Sequence, residues 1–127
     1  MFKPNAAFSG FSVSDIMVAK EFYTTKLDLQ VTESMGGLNL VLPNGTEVWV
    51  YEKPNHQPAT YTVLNFAVDD IDAAVDDLTE RGITFERYDG MHQDERGIAR
   101  GKEHDMGPDI AWFTDPAGNI LSVLETA

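Results

Sequence analysis

Apolar and polar residues alternate from residue 7 to 13, so that Phe11 and Val13 fall on one side of an extended chain and Phe8, Gly10 and Ser12 on the other. Ser14 and Asp15 then offer a helix N-cap, and Ile16, Ala19, Tyr23 and Leu27 recur at the spacing of one helical face. Three short β-prone runs follow at 29–34, 38–42 and 47–52, separated by the turn signals Gly36-Gly37 and Pro43-Asn44-Gly45. The same order then begins again. Residues 61–68 alternate as a strand, and Asp69-Asp70 caps a helix whose apolar face is Ile71, Ala74, Val75 and Leu78 and which Gly82 ends. Strands are expected at 83–88, 109–113 and 120–124, with Asp115-Pro116-Ala117-Gly118-Asn119 turning the last hairpin.

The pattern predicts an α+β chain of two tandem βαβββ modules, about 1–55 and 60–127, forming a single domain. The segments Val13-Ser14-Asp15-Ile16 and Val68-Asp69-Asp70-Ile71 align at a shift of 55, and Gly45 and Gly118 mark equivalent turns. From capping Asp to turn glycine is 30 residues in the first module and 48 in the second. The 18 extra residues fall mostly in a glycine-punctuated stretch, so a long loop is expected over about 89–107, bordering the cleft.

Charge narrows the partners. Twenty-one acidic against nine basic side chains give a net charge of −12, which opposes nucleic-acid phosphates and anionic membrane surfaces. Residues 61–127 carry fifteen of the acids, six of them between Asp69 and Glu80, a run that reads as the solvated face of the second helix. The absence of cysteine excludes disulfides, thiolate metal sites and a thiol nucleophile. No apolar run reaches the length of a signal peptide or a membrane span, so a cytoplasmic protein is expected.

The duplicated module, with Ser14-Asp15-Ile16, Phe22-Tyr23 and Leu27 in the first copy and Asp69-Asp70-Ile71-Asp72-Ala73-Ala74 and Asp115-Pro116-Ala117-Gly118-Asn119 in the second, resembles the vicinal oxygen chelate superfamily of glyoxalase I, bleomycin-resistance proteins and extradiol dioxygenases. The resemblance implies that each module curls its strands into a half-barrel with helices outside and a concave cleft within. It also implies a divalent metal in active members, held by His, Gln or Glu early in the first strand and in the last strand of each module. Those positions are Phe8, Trp49, Val63 and Ser122 here, and none supplies an imidazole or a carboxylate. A one-residue slip presents Ser9, Val50, Leu64 and Val123, or Ala7, Val48, Thr62 and Leu121, and restores nothing. No metal and no cofactor are therefore expected.

Other chemistry is thinly signalled. His56, His92 and His104 all lie in predicted loops and read as exposed; a relocated metal site from His92, Asp94, Glu95, His104 and Asp105 needs that loop to fold back over the cleft. Gly97-Ile98-Ala99-Arg100-Gly101-Lys102 lacks the spacing and the Ser or Thr of a phosphate loop, and Arg96, Arg100 and Lys102 have Glu95, Glu103 and Asp105 close by as partners. No nucleophile elbow is present, and Glu47 has no partner that would make it a general base.

The inward strand faces say more. Phe8, Gly10 and Ser12, then Trp49 and Tyr51, then Val63, Asn65 and Ala67, then Ile120 and Ser122 share the cleft side, whereas the alternate residues are apolar and belong under the helices. A binder of an aromatic or apolar small molecule would present such a face, with Phe8, Trp49 and Tyr51 as walls and Ser12, Asn65 and Ser122 as orienting polar groups. The same rings could instead fill the cavity as core, leaving a non-catalytic accessory protein. A glyoxalase-like lyase, isomerase or dioxygenase remains a third reading and requires a metal site built elsewhere. Homodimer formation is expected from the exposed edges that two small half-barrels leave.

Overall fold

The computed structural model describes residues 1–126, in two compact units, Met1–Gln57 and a second beginning at Pro58. The first unit runs β1 (Ser9–Val13), α1 (Ile16–Glu21), β2 (Gln30–Ser34), β3 (Gly37–Val41) and β4 (Glu47–Glu52). The second runs β5 (Thr62–Ala67), α2 (Ile71–Glu80), β6 (Ala99–Arg100), β7 (Asp109–Thr114) and β8 (Ile120–Glu125). Each unit is one four-stranded sheet, ordered β1-β4-β3-β2 in the first and β5-β8-β7-β6 in the second. In both, the first strand lies parallel to the last and the remaining pairs are antiparallel. The expected βαβββ order is thus present in both units.

Local chemistry starts both helices alike. The Asp15 carboxylate accepts from the amides of Met17 at 3.0 Å and Val18 at 3.2 Å, and Asp70 accepts from Ala73 at 3.1 Å. A second carboxylate completes each start, because Glu52 accepts from Ile16 N and Glu125 from Ile71 N, both at 2.9 Å. Each of these glutamates stands seven residues after its turn glycine, Gly45 and Gly118, whose φ values of 84° and 85° suit glycine. One face of each sheet packs under its helix. Phe11, Val13, Leu38, Leu40, Val48 and Val50 are buried in the first unit with Ala19 and Tyr23, and Ala111, Phe113, Leu121 and Val123 in the second with Ile71 and Val75. Each such large side chain contributes roughly 1.5–3 kcal/mol when fully buried.

The first helix is not one continuous α-helix over its apolar face: beyond Glu21 it widens into a π turn over Phe22–Lys26. Residues 83–88 do not form a regular strand either. Ile83 and Phe85 turn inward, Phe85 against Phe113 at 5.7 Å, but one backbone bond, Glu86 N to Trp112 O at 2.7 Å, ties the segment to β7. The rest of that edge is taken by Ala99 and Arg100, opposite Ile110 and Asp109.

The expected loop over 89–107 is therefore a folded segment. It holds β6, a 3-10 turn at Gly101–His104 and a bridge between Gln93 and Ala99, with Ile98 fully buried. Its arginines decide this. Arg96 donates to Asp72 at 2.6 Å and to Asp76, while Arg100 donates to Asp72 at 2.7 Å and to Asp94 at 3.2 Å. The acidic face of α2, expected to be merely solvated, docks the segment, and the pairings with Glu95, Glu103 and Asp105 give way to partners distant in sequence. Lys102 likewise pairs with Glu125. Among the described residues no helix is long and apolar enough to cross a membrane.

Candidate functional site

The face of β4 opposite the core carries Glu47, Trp49 and Tyr51, and Lys53 continues the alternation past the strand end, where its amide donates to Val13 O at 3.0 Å. The rings of Trp49 and Tyr51 stack at 4.9 Å with 23° between planes. Trp49 lies between Gly10 on β1 and Asn39 on β3. Gly37 gives the indole its room, since a Cβ there would stand 2.7 Å from Trp49 Nε1. Of the two glycines expected to turn the chain here, Gly36 does so, at φ 80°, whereas Gly37 is buried in β3.

Two hollows open on this face. The larger, about 620 Å³, is lined by Phe8, Met35, Asn39, Glu47 and Trp49 among others, with Phe8 71% exposed. The other, about 470 Å³, is lined by Ser12, Tyr51, Lys53, Asn55 and Gln57. Ser12 Oγ lies 2.7 Å from Nδ1 of the half-buried His56, which corrects the reading of that histidine as an exposed loop residue.

In the second unit Asn65 and Ser122 face each other across the β5–β8 pair. Ser122 is fully buried, and its hydroxyl donates to Asn65 Oδ1 at 2.5 Å, so it supports Asn65 rather than lining an open surface. Val63 falls at a register shift: Thr62 pairs with Ile120 and Leu64 with Leu121, so simple alternation fails there. Of the six candidate residues, Phe8 and Trp49 share one hollow, Ser12 and Tyr51 share the next, and Asn65 and Ser122 bind each other.

Residues 8–123 match the Glyoxalase/Bleomycin resistance protein/Dioxygenase superfamily. The chain belongs to this superfamily. Among solved structures, a member of the superfamily from Sphaerobacter thermophilus is 26% identical, with 94% of this chain and 97% of that one covered and a TM-score of 0.66. TnmS3, an antibiotic binding protein from a Streptomyces species, is 21% identical over 99% of this chain and 100% of its own, with a TM-score of 0.66. FosX, a fosfomycin resistance protein from Listeria monocytogenes, is 14% identical over 99% and 96%, also at 0.66. The last two likenesses concern the fold alone. No curated protein matches the chain.

The superfamily's divalent metal finds no fit at the positions where the resemblance puts its ligands. Phe8, Trp49 and Val63 offer no donor atom, and the Ser122 hydroxyl is spent on Asn65. Among the described residues no three His, Asp or Glu side chains converge as a metal-holding group. Asp94, one of the loop acids considered for a relocated site, is occupied by the amides of Arg96 and Ile98, each at 2.9 Å, and by Arg100. Burial pushes its pKa up, but these donors outweigh that and hold it below the ordinary carboxylate value.

Proposed function

We propose that the protein is a metal-free binder of a small aromatic or apolar molecule, which lies against Trp49 in the first unit with Phe8 and Tyr51 as further walls. The observation that carries this reading is the stacked Trp49–Tyr51 pair beside an open hollow lined by the exposed Phe8. Rings left half-exposed and held in register by a sheet provide stacking and apolar burial at about 25 cal/mol per Å² without the charged centre of a metal site. An antibiotic-binding protein and a fosfomycin resistance protein share the fold. The test is fluorescence titration with planar aromatic compounds in the wild type and in Trp49→Ala, with Trp112 retained as an internal reference. Saturable quenching that disappears in Trp49→Ala is expected. Quenching unchanged in the variant, or no binder in a broad aromatic set, overturns the proposal.

A further inference from the structure

Four successive residues on one face of β4 and its extension form the order acid, ring, ring, base: Glu47, Trp49, Tyr51, Lys53. Glu47 lines the hollow beside Trp49, and no basic side chain lines it with Glu47. Lys53 lines the recess beside Tyr51, and no carboxylate lines that one. The acid nearest Lys53 in sequence, Glu52, points to the other side, where it accepts from Ile16 N. Neither charged group is spent elsewhere: among the described residues the side chains of Glu47 and Lys53 make no ion pair or hydrogen bond. Lys20, Arg81, Arg96, Arg100 and Lys102 are all in ion pairs, whereas Lys53 lies among hydroxyl and amide groups in a chain of charge −12.

Resting on the binding function proposed above, we infer that the strip selects an elongated aromatic molecule carrying a cationic amine at one end and a carboxylate at the other. The rings take the aromatic body, Glu47 the amine, and Lys53 with the Asn55 and Gln57 amides the carboxylate. The Cα atoms of Glu47 and Lys53 are separated by about 20 Å, at about 3.3 Å per residue, and both side chains can lean toward the rings. A biphenyl-sized body spans what remains. The overall charge favours cations everywhere and penalises anions, so retention of a carboxylate is the signature of Lys53 and not of the general field.

The test compares four biphenyls that differ only at the two para ends: neutral hydroxymethyl, aminomethyl alone, carboxylate alone, and aminomethyl with carboxylate at opposite ends. Affinities are measured by quenching and by calorimetry in the wild type, Lys53→Gln, Glu47→Gln, Trp49→Ala and Glu21→Gln, the last removing an exposed acid away from both hollows. The two-ended probe is expected to bind tightest. Lys53→Gln should weaken only the carboxylate probes and Glu47→Gln only the amine probes, each by about two- to five-fold for an exposed charge pair, with Glu21→Gln changing neither as much. A two-ended probe no tighter than the neutral one, or variants that shift all four probes alike, overturns the inference. The binding function survives that result if the neutral biphenyl still binds and is lost in Trp49→Ala. Failure of all four probes to bind overturns both.

Discussion

Trp49 owes its position to the absence of two side chains. A Cβ on Gly10 would stand 2.9 Å from Trp49 O, and one on Gly37 would meet both Trp49 Nε1 and Val50 O at 2.7 Å. Gly37→Ala should therefore displace the indole and strain β4, costing about 1–3 kcal/mol as overpacking does. Urea unfolding reads the cost and a shift in Trp49 emission reads the displacement; an unchanged midpoint and spectrum would mean the ring is held by other means. Alternation alone placed Trp49 and Tyr51 on the open face, because period two survives any tertiary context that keeps the strand. It could not reveal Gly37 beneath the indole, nor His56 beside Ser12, nor the Ser122 hydroxyl spent on Asn65, since each depends on which strands become neighbours.

At the scale of elements, the two copies share one device. Glu52 and Glu125 reach from the ends of the last strands to the first turns of α1 and α2, tying each helix to its sheet. Glu52→Ala should lower stability by about 1 kcal/mol, comparable to the loss of a capping group, and Glu52→Gln, which keeps an acceptor, by less; equal melting points for all three proteins would remove the role. The equal offset from Gly45 and Gly118 was visible in the sequence, but only the paired register gives it meaning. The folded segment before β7 was hidden for a different reason. Arg96 and Arg100 have acids nearby in sequence, yet both pair with Asp72, 24 and 28 residues away, a choice that only the docking of the segment on α2 makes available. Arg100 beside Asp72 holds that carboxyl below its ordinary value of 3.8. A depressed folded pKa contributes stability that is complete well above 3.8 and is lost as pH falls through the folded value. Asp72→Asn should therefore be less stable than wild type at neutral pH, with the gap closing in acid below that value. A gap that is constant with pH would assign the loss to packing instead of charge.

At the scale of the whole chain, each sheet ends in edge strands: β1 and β2 in the first unit, and in the second β5 and the two-residue β6, which Gln93 bridges at Ala99. Unpaired edges of this kind are usually paired, covered or charged, and β2 has only Glu33 as a charge along its five residues. The first unit also exposes Phe2 at 90%, Phe8 at 71% and Met35 at 93%, apolar surface that a second copy would remove from water. A homodimer is therefore expected, of twice the 14.1 kDa chain mass. Phe8 and Met35 also line the larger hollow, so pairing and ligand binding make distinguishable demands on the same residues. If the partner copy covers that hollow, a bound aromatic molecule competes with association and shifts the equilibrium toward monomer. If it covers an edge elsewhere, the ligand leaves the mass unchanged and raises the unfolding free energy by its own binding, about 2.7 kcal/mol at a hundredfold excess over Kd, which a higher melting point reports. Sedimentation equilibrium at micromolar protein, with and without saturating aromatic ligand, separates these cases, and a 14.1 kDa species under both conditions would exclude the dimer.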